Sequence, residues 1–597
     1  MKLGRTFFSF SAGLIGAASI FGLSACGGDG TPDPLQKYRE QTVQWTHCDP
    51  TILGEENNTL STLDPSVGER LRCSYVRAPL DWSNTERGDV VVAVMRLAAG
   101  TPEKRQGSLL FNPGGPGQDG LADALSLFSA FANSNPDNPQ GARQLRLLNE
   151  FDMVGFSPRG TGASTRLECS TNELEREVDM SAAEWDTPEN IENATYNNAK
   201  TAQACLKNPI TPYINTDATA RDMDLLRGLL GDEKLNYVGY SYGTWLGSWY
   251  ANLFPEKVGR MVLDSSLDFT STFDDALEVG QPLARQRLLD EVMIPYAVRH
   301  EDHFRLGSTG TEVSAVISAL SPGVQQSLIG GLTKLTYSRT SANEFLANIS
   351  AAQALDAVLK AAPDPADTAA IQEDLDEYVL DPVNPVRNEA LRSVLKSLYA
   401  VYLERAEAKP SSFNLDSSEA VRAAVTCNDT LAITDSTTWV ERIRGVAQRA
   451  PLFFAAMLQN PCSFWGGPTV SKPALTPMKS LNVLMVQSQY DAATNTDGAN
   501  TFFAQLPAAR RVYVSGDFQH AIYPYVDSCV DPIVTNYLLG ESPAQRETVC
   551  TGHPLELDAL NLNSSTKAAS VSPIYKDAER ARELIERFKR GAMGLKP

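Results

Sequence analysis

The stretch Leu235-Asn-Tyr-Val-Gly-Tyr-Ser241-Tyr-Gly243-Thr-Trp-Leu-Gly247 decides the fold. Its first half reads as a short apolar β-strand that ends in Gly239-x-Ser241-x-Gly243 and opens into a helix of small residues. A serine at such a strand-to-helix turn sits on strained backbone, and the flanking glycines let the chain bend there without a clash. The turn pushes the hydroxyl out where a histidine can reach it and sets the N–H of Tyr242 at a helix N-terminus. One element then supplies a nucleophile and half of an oxyanion hole. The pentapeptide alone also occurs in ordinary turns; the strand before it and the helix after it give it weight.

Apolar, β-branched runs extend outward from this point in a regular order. Arg72–Arg77 and Asp89–Met95 read as an opening pair of strands, and Ser108–Phe111 as a buried strand running into Asn112-Pro-Gly-Gly-Pro-Gly117. Phe151–Phe156 follows, then a helical period over 218–230 with Met223, Leu226 and Leu230 on one face. Arg260–Asp264, Val483–Gln487 and Arg511–Val514 complete a mostly parallel sheet. Strands alternating with helices imply a doubly covered α/β layer, in the order of the α/β-hydrolase fold. From about 284 to 473 the strand signal gives way to amphipathic stretches such as Glu389–Tyr402, read as an inserted all-α cap over the catalytic mouth. The expected division is a core at 46–283, the cap at 284–473, the rest of the core at 474–550, and a linker and helix at 551–597. That last helix, near Asp577–Arg590, carries an apolar stripe of Ala581, Leu584, Ile585 and Phe588 suited to docking on the body.

A serine nucleophile needs a histidine base and a carboxylate to orient it. Of the five histidines, His520 follows the final expected strand on a short loop, Ser515-Gly-Asp-Phe-Gln-His520. His47 precedes the first strand beside a cysteine, His553 lies beyond the last cysteine, and His300 and His303 read as a solvated pair on a cap helix. The acid is expected at Asp491, on the loop after Val483–Gln487, with Asp264 after the sixth strand as its rival. The chain order Ser241, Asp491, His520 fits the fold, and the inserted cap accounts for the long gap. Gly114 and Gly115 let a backbone N–H approach a developing oxyanion, so Gly115 and Tyr242 are the expected donors. No metal-ligand spacing or cofactor motif stands out, and neither is expected.

The N-terminus reads as an export signal. Lys2 and Arg5 precede an uncharged apolar run to Leu23, and Leu23-Ser-Ala-Cys26 matches a lipobox, with Cys26 lipidated after removal of residues 1–25. Residues 26–45 then form a tether to a membrane. Eight cysteines remain: Cys48, Cys73, Cys169, Cys205, Cys427, Cys462, Cys529 and Cys550. Pairing them in sequential couples is the simplest arrangement that leaves none over, and it suits an oxidising compartment. A net charge of −20 argues against a nucleic-acid partner. A bacterial cell-envelope lipoprotein facing the periplasm or exterior is expected.

Asn112-Pro-Gly-Gly-Pro-Gly117, Arg159-Gly-Thr-Gly162, the elbow at Ser241 and Thr426-Cys-Asn-Asp429 together resemble the tripeptidyl aminopeptidase branch of the proline iminopeptidase-like serine peptidases. The stretches Ser528–Asp531 and Val549–Cys550 resemble that branch's terminal region. The resemblance runs from about 70 to 550. It implies an exopeptidase using Ser241, Asp491 and His520 on peptides with a free N-terminus, with cap carboxylates binding the amine. Carboxylic-ester hydrolysis by the same triad is the alternative. Two positions depart from the pattern: Ser157 stands where aspartate commonly precedes Pro-Arg-Gly, and Ala521 follows the histidine where glycine is common.

Overall fold

Eleven strands are found among the described residues of the computed structural model, which are 33–53, 65–364, 366–563 and 573–592. They are β1 (Leu71–Pro79), β2 (Asp89–Leu97), β3 (Ser108–Asn112), β4 (Asp152–Phe156), β5 (Cys169–Leu174), β6 (Leu235–Tyr240), β7 (Val258–Asp264), β8 (Ser412–Leu415), β9 (Leu484–Ser488), β10 (Arg510–Ser515) and β11 (Glu547–Thr551). The leader, Cys26, the tether as far as residue 32 and the linker at 564–572 lie outside the described residues. Nine strands build one sheet in the order β1-β2-β4-β3-β6-β7-β9-β10-β11. β1, β2 and β4 pair antiparallel, and every pairing from β4 through β3 to β11 is parallel.

The central strands are buried along their whole length, so their continuous apolar runs feed both faces of the sheet. Alternation sends Leu110, Tyr237, Leu263 and Met485 to one face, where the helices Thr216–Leu229 and Tyr242–Leu253 pack. Leu109, Phe111, Val238, Tyr240 and Val262 face the other side, beneath Gly120–Ala132 and Val530–Leu538. The parallel sheet covered on both faces by helices, with helical insertions, is the α/β-hydrolase architecture.

The insertion differs in detail from a single all-α block. β8 lies within it and pairs with β5 in a separate two-stranded ribbon, and neither strand has a strong sequence signal; nor does the sheet-edge strand β11. Helices from Leu288 to Tyr399 have a core of their own. A second apolar cluster joins Trp185 and Ala194, from before β6, to Trp439, Ile443 and Phe454. The covering layer is therefore assembled from two separate parts of the chain. His300 and His303 are not a solvated pair either: His300 is buried against Asp558 (Nε2 to Oδ1, 2.7 Å), and the His303 Nδ1 meets Arg387 at 2.6 Å. Four disulfides join Cys48–Cys73, Cys169–Cys205, Cys427–Cys462 and Cys529–Cys550.

Buried carboxylates fasten the pieces together. Asp429, closing the helix Ser417–Asp429, accepts the Thr216 N–H (2.8 Å), the Thr216 hydroxyl and the Trp245 indole N–H (3.1 Å). Beside it, Asn428 donates to the carbonyls of Thr211 and Ile214 and accepts from the Trp465 indole. The Thr426–Asp429 motif is thus a lock between the insertion and the helices Thr216–Leu229 and Tyr242–Leu253. Asp531 accepts the N–H groups of Tyr525 and Val526, both at 2.6 Å. The C-terminal helix Ala578–Ala592 buries Ala581, Leu584, Ile585 and Phe588, with the Phe588 ring edge-on to Tyr240 at 4.9 Å.

Two expectations follow from this packing. Phe588→Ala removes a fully buried ring wedged behind the elbow and should lower stability by about 3 kcal/mol or more, read as a fall in the urea midpoint. Burial pushes Asp429 and Asp531 each up to about 7 from the ordinary 3.8. Each holds its proton more tightly folded than unfolded, so the stability these two contribute is full below about pH 4 and is lost as pH rises to about 7. The urea midpoint should therefore fall between about pH 4.5 and about pH 7.5. A midpoint rising steadily over that interval would show that neither carboxyl takes up a proton there.

Candidate active site

Ser241 sits between β6 and the helix Tyr242–Leu253 at φ 55° and ψ −123°, in the strained left-handed region. Small neighbours make room for this turn. A Cβ on Gly239 would stand 2.4 Å from the Gly243 carbonyl oxygen, and one on Gly243 would meet the Asn112 carbonyl at 2.8 Å. The loop after β3 lies directly on the elbow: a Cβ on Gly114, which has φ +109°, would fall 2.5 Å from the Tyr240 carbonyl and 3.1 Å from the Tyr242 nitrogen. The amides of Gly115 and Tyr242 donate to no group among the described residues. Both remain available to an incoming oxygen.

His520 follows β10 and is fully buried. Its Nδ1 lies 3.0 and 3.1 Å from the two carboxylate oxygens of Asp491, on the loop after β9. A carboxylate accepts, so Nδ1 carries the hydrogen and Nε2 keeps a lone pair. That Nε2 is buried with no hydrogen-bond partner among the described residues. Asp491 is itself held by the N–H groups of Ala493 and Thr494 and by the Thr494 hydroxyl, each at 2.9 Å.

Asp264, the rival acid, has a different job. Its carboxylate accepts the N–H groups of Ile522 (2.9 Å) and Tyr523 (2.7 Å), just after the histidine, while its carbonyl accepts the Ser241 N–H at 3.0 Å. The next residue, Ser265, accepts the Ala521 N–H on Oγ at 2.9 Å. The end of β7 therefore ties the Ser241 turn to the histidine loop. Burial pushes Asp264 up to about 6, against the pull of these donors.

Several groups around the site carry little signal in the sequence. Tyr337, from the insertion, accepts the His520 N–H on its carbonyl at 2.9 Å and sets its ring edge-on to the imidazole at 5.6 Å. Ala492 and Phe518, next to the candidate acid and base, are buried in the insertion's own core. Asp517 could have been found: an Asp-x-x pattern opening a loop bonds forward to backbone, and its Oδ1 accepts the N–H groups of Phe518 (2.6 Å) and Gln519 (2.8 Å). The Arg159 motif is structural. Its guanidinium forks onto Asp222 at 2.6 and 2.7 Å, fully buried, and also reaches the carbonyls of Pro79, Leu80 and Tyr213. At the first departure from the resembled pattern, Ser157 donates to Asp119 at 2.6 Å, so a carboxylate reaches the niche from the neighbouring loop. At the second, Ala521 has φ 53°, a conformation that glycine adopts more readily.

Comparison with known proteins points to the same fold. Residues 107–290 match the family described as alpha/beta hydrolase fold, and residues 450–550 match the family described as TAP-like protein. The chain is 26% identical over 505 residues to the tripeptidyl aminopeptidase of Streptomyces coelicolor, covering 82% of this chain and 85% of that one. It is also 26% identical over 548 residues to the serine protease Hip1 of Mycobacterium tuberculosis, covering 84% and 89%. Carboxylesterase B of Mycobacterium tuberculosis is 30% identical over 210 residues, covering 34% of this chain and 38% of the relative. Sheet, elbow and these matches lead to one assignment: the chain has the α/β-hydrolase fold, and its site is arranged as in a serine hydrolase.

Proposed function

We propose that the protein is a serine peptidase that releases short peptides or single residues from free N-termini through an acyl-enzyme. The observation that carries the hydrolase part is the buried, unpartnered Nε2 of His520, whose other ring nitrogen is held by Asp491. A buried polar atom without a partner costs about 1–3 kcal/mol and is kept where chemistry needs it. Ser241 Oγ attacks the scissile carbonyl as its proton passes to Nε2, and Asp491 stabilises the imidazolium. The oxyanion takes the N–H groups of Gly115 and Tyr242. His520 then protonates the leaving amine, and water attacks the acyl-enzyme by the same route. The four disulfides support the reading of an exported protein, and the lipobox at Cys26 supports a lipid anchor.

The choice of a free amine rests on the base of the insertion. Phe273 lays its ring edge-on to Tyr242 at 5.8 Å, and Glu278 follows in the next helical turns. Asp274 and Asp275 are both engaged by Arg442. Glu278 is held loosely by Arg422 at 3.7 Å, with its side chain 20% exposed. Burial pushes its pKa up and Arg422 opposes that shift, as a substrate ammonium would. Glu278 is the carboxylate we assign to the substrate amine.

Ser241→Ala and Asp491→Asn should each remove turnover of the folded enzyme by at least about a thousandfold. Asp264→Asn, which loosens the histidine loop but leaves the imidazole its partner, should cost far less in kcat than Asp491→Asn. The reverse ranking, measured by steady-state kinetics, would exchange the two roles.

Acetylating the N-terminus of a peptide p-nitroanilide should lower kcat/KM by at least about tenfold, and Glu278→Gln should shrink that difference by raising KM for the free amine. Equal rates on free and acetylated peptides would discard the aminopeptidase. Fast turnover of acyl esters beside negligible peptide turnover would favour the esterase instead.

A further inference from the structure

A cavity of about 690 Å³ opens where the insertion, the histidine loop and the C-terminal helix meet. Ser241, Gly115 and Tyr242 are not among its walls, so it is distinct from the candidate acyl site. In a chain of net charge −20 its lining is unusually basic: Arg143, Arg339, Arg582 and Lys589 face two carboxylates, Asp527 and Glu586, with His553 alongside. Between these charges the wall is apolar, formed by Val526, Tyr575, Ile585 and the rings of Pro139 and Pro532. A volume of this size suits a small amphiphilic ligand.

Lys589 is the telling residue. It is 5% exposed, lies on the inner face of the helix Ala578–Ala592, and makes no hydrogen bond or contact ion pair among the described residues. Glu586, on the same helix, attracts it most without touching it; Asp264 and Asp531 are also near enough for their charges to act on it, yet neither contacts it. Their oxygens already accept Ile522, Tyr523 and Ser265, and Tyr525, Val526 and Asp527, respectively. Arg339 adds positive charge from the rim, and burial presses the pKa of Lys589 down. An ammonium with three donors and no acceptor is costly to bury, and an anion arriving from solvent would remove that cost. Asp527 and Glu586 on the same lining disfavour a second negative charge, so a singly charged head suits the cavity better than a dianion.

We propose that this cavity binds an amphiphilic monocarboxylate, with its head on Lys589 and Arg339 and its apolar body along Tyr575, Ile585 and Val526. Gln519 links the occupant to the catalytic loop: it lines the cavity, donates to the His520 carbonyl at 2.7 Å and accepts from Ser338 at 3.2 Å. A fatty acid and the free C-terminus of an apolar peptide share this chemistry.

Calorimetric titration of the full chain carrying Ser241→Ala, which prevents turnover, tests the site. The probes are octanoate against octan-1-ol, and acetyl-Ala-Ala-Phe against its C-terminal amide. At least one acid should bind at least about tenfold more tightly than its neutral counterpart, and the tighter acid identifies the source. Lys589→Met and Arg339→Gln should each weaken that binding by about tenfold or more, with folding checked by far-ultraviolet circular dichroism. Arg339 is half-buried at the rim, so its variant carries the test if Lys589→Met does not fold. Absence of binding by both acids at about 10 mM, equal binding of acid and neutral probes, or binding unaltered in the folded variants would each overturn the site.

Discussion

The dipeptide Asp264–Ser265 at the end of β7 is the point on which the site depends. Through one carbonyl, one carboxylate and one hydroxyl it holds the Ser241 turn and the loop after the histidine in a fixed relation. The three residues it brings together in the left-handed region, Ser241, Ser265 and Ala521, have φ of 55°, 61° and 53°. Each such residue costs on the order of 1 kcal/mol, a strain that persists because the surrounding bonds over-determine it. Burial of the carboxylate works against its charged form, and three donors and the nearby charge of Lys589 offset that.

The insertion contributes more than a cover. Tyr337 bonds the backbone of His520, and Ala492 and Phe518 are packed into the insertion's own apolar core, so the loops of the candidate acid and base are clamped from above as well as below. Asn428 and Asp429 fasten the insertion's helix Ser417–Asp429 to Ile214, Thr216 and Trp245, the last on the helix that follows Ser241. Movement of the insertion would therefore be felt at the imidazole through backbone bonds as well as through access to the cleft. The C-terminal helix closes the third side, with Phe588 on Tyr240 immediately before the serine.

The sequence by itself determined what depends on local rules. Period and composition mark the central strands because each is buried on both faces. The glycines around Ser241 mark the elbow because no other residue leaves room for that turn, and the stripe on the C-terminal helix marks its docking face. His520 and Asp491 are legible because their loops follow strands in a known order. Tertiary structure decided what depends on long-range pairing. β5 and β8 have few apolar residues and become strands by pairing across more than two hundred residues, and β11 forms at the sheet edge, so local periodicity cannot show them. The carbonyl of Tyr337, the burial of His300 against Asp558 and the buried ammonium of Lys589 are likewise invisible along the chain. Asp264 and Asp491 both follow parallel strands, and their residue types are identical. Which of them faces the imidazole and which faces the backbone of its loop is set by where β7 and β9 lie in the sheet, and a carboxylate's role follows from the donors that reach it.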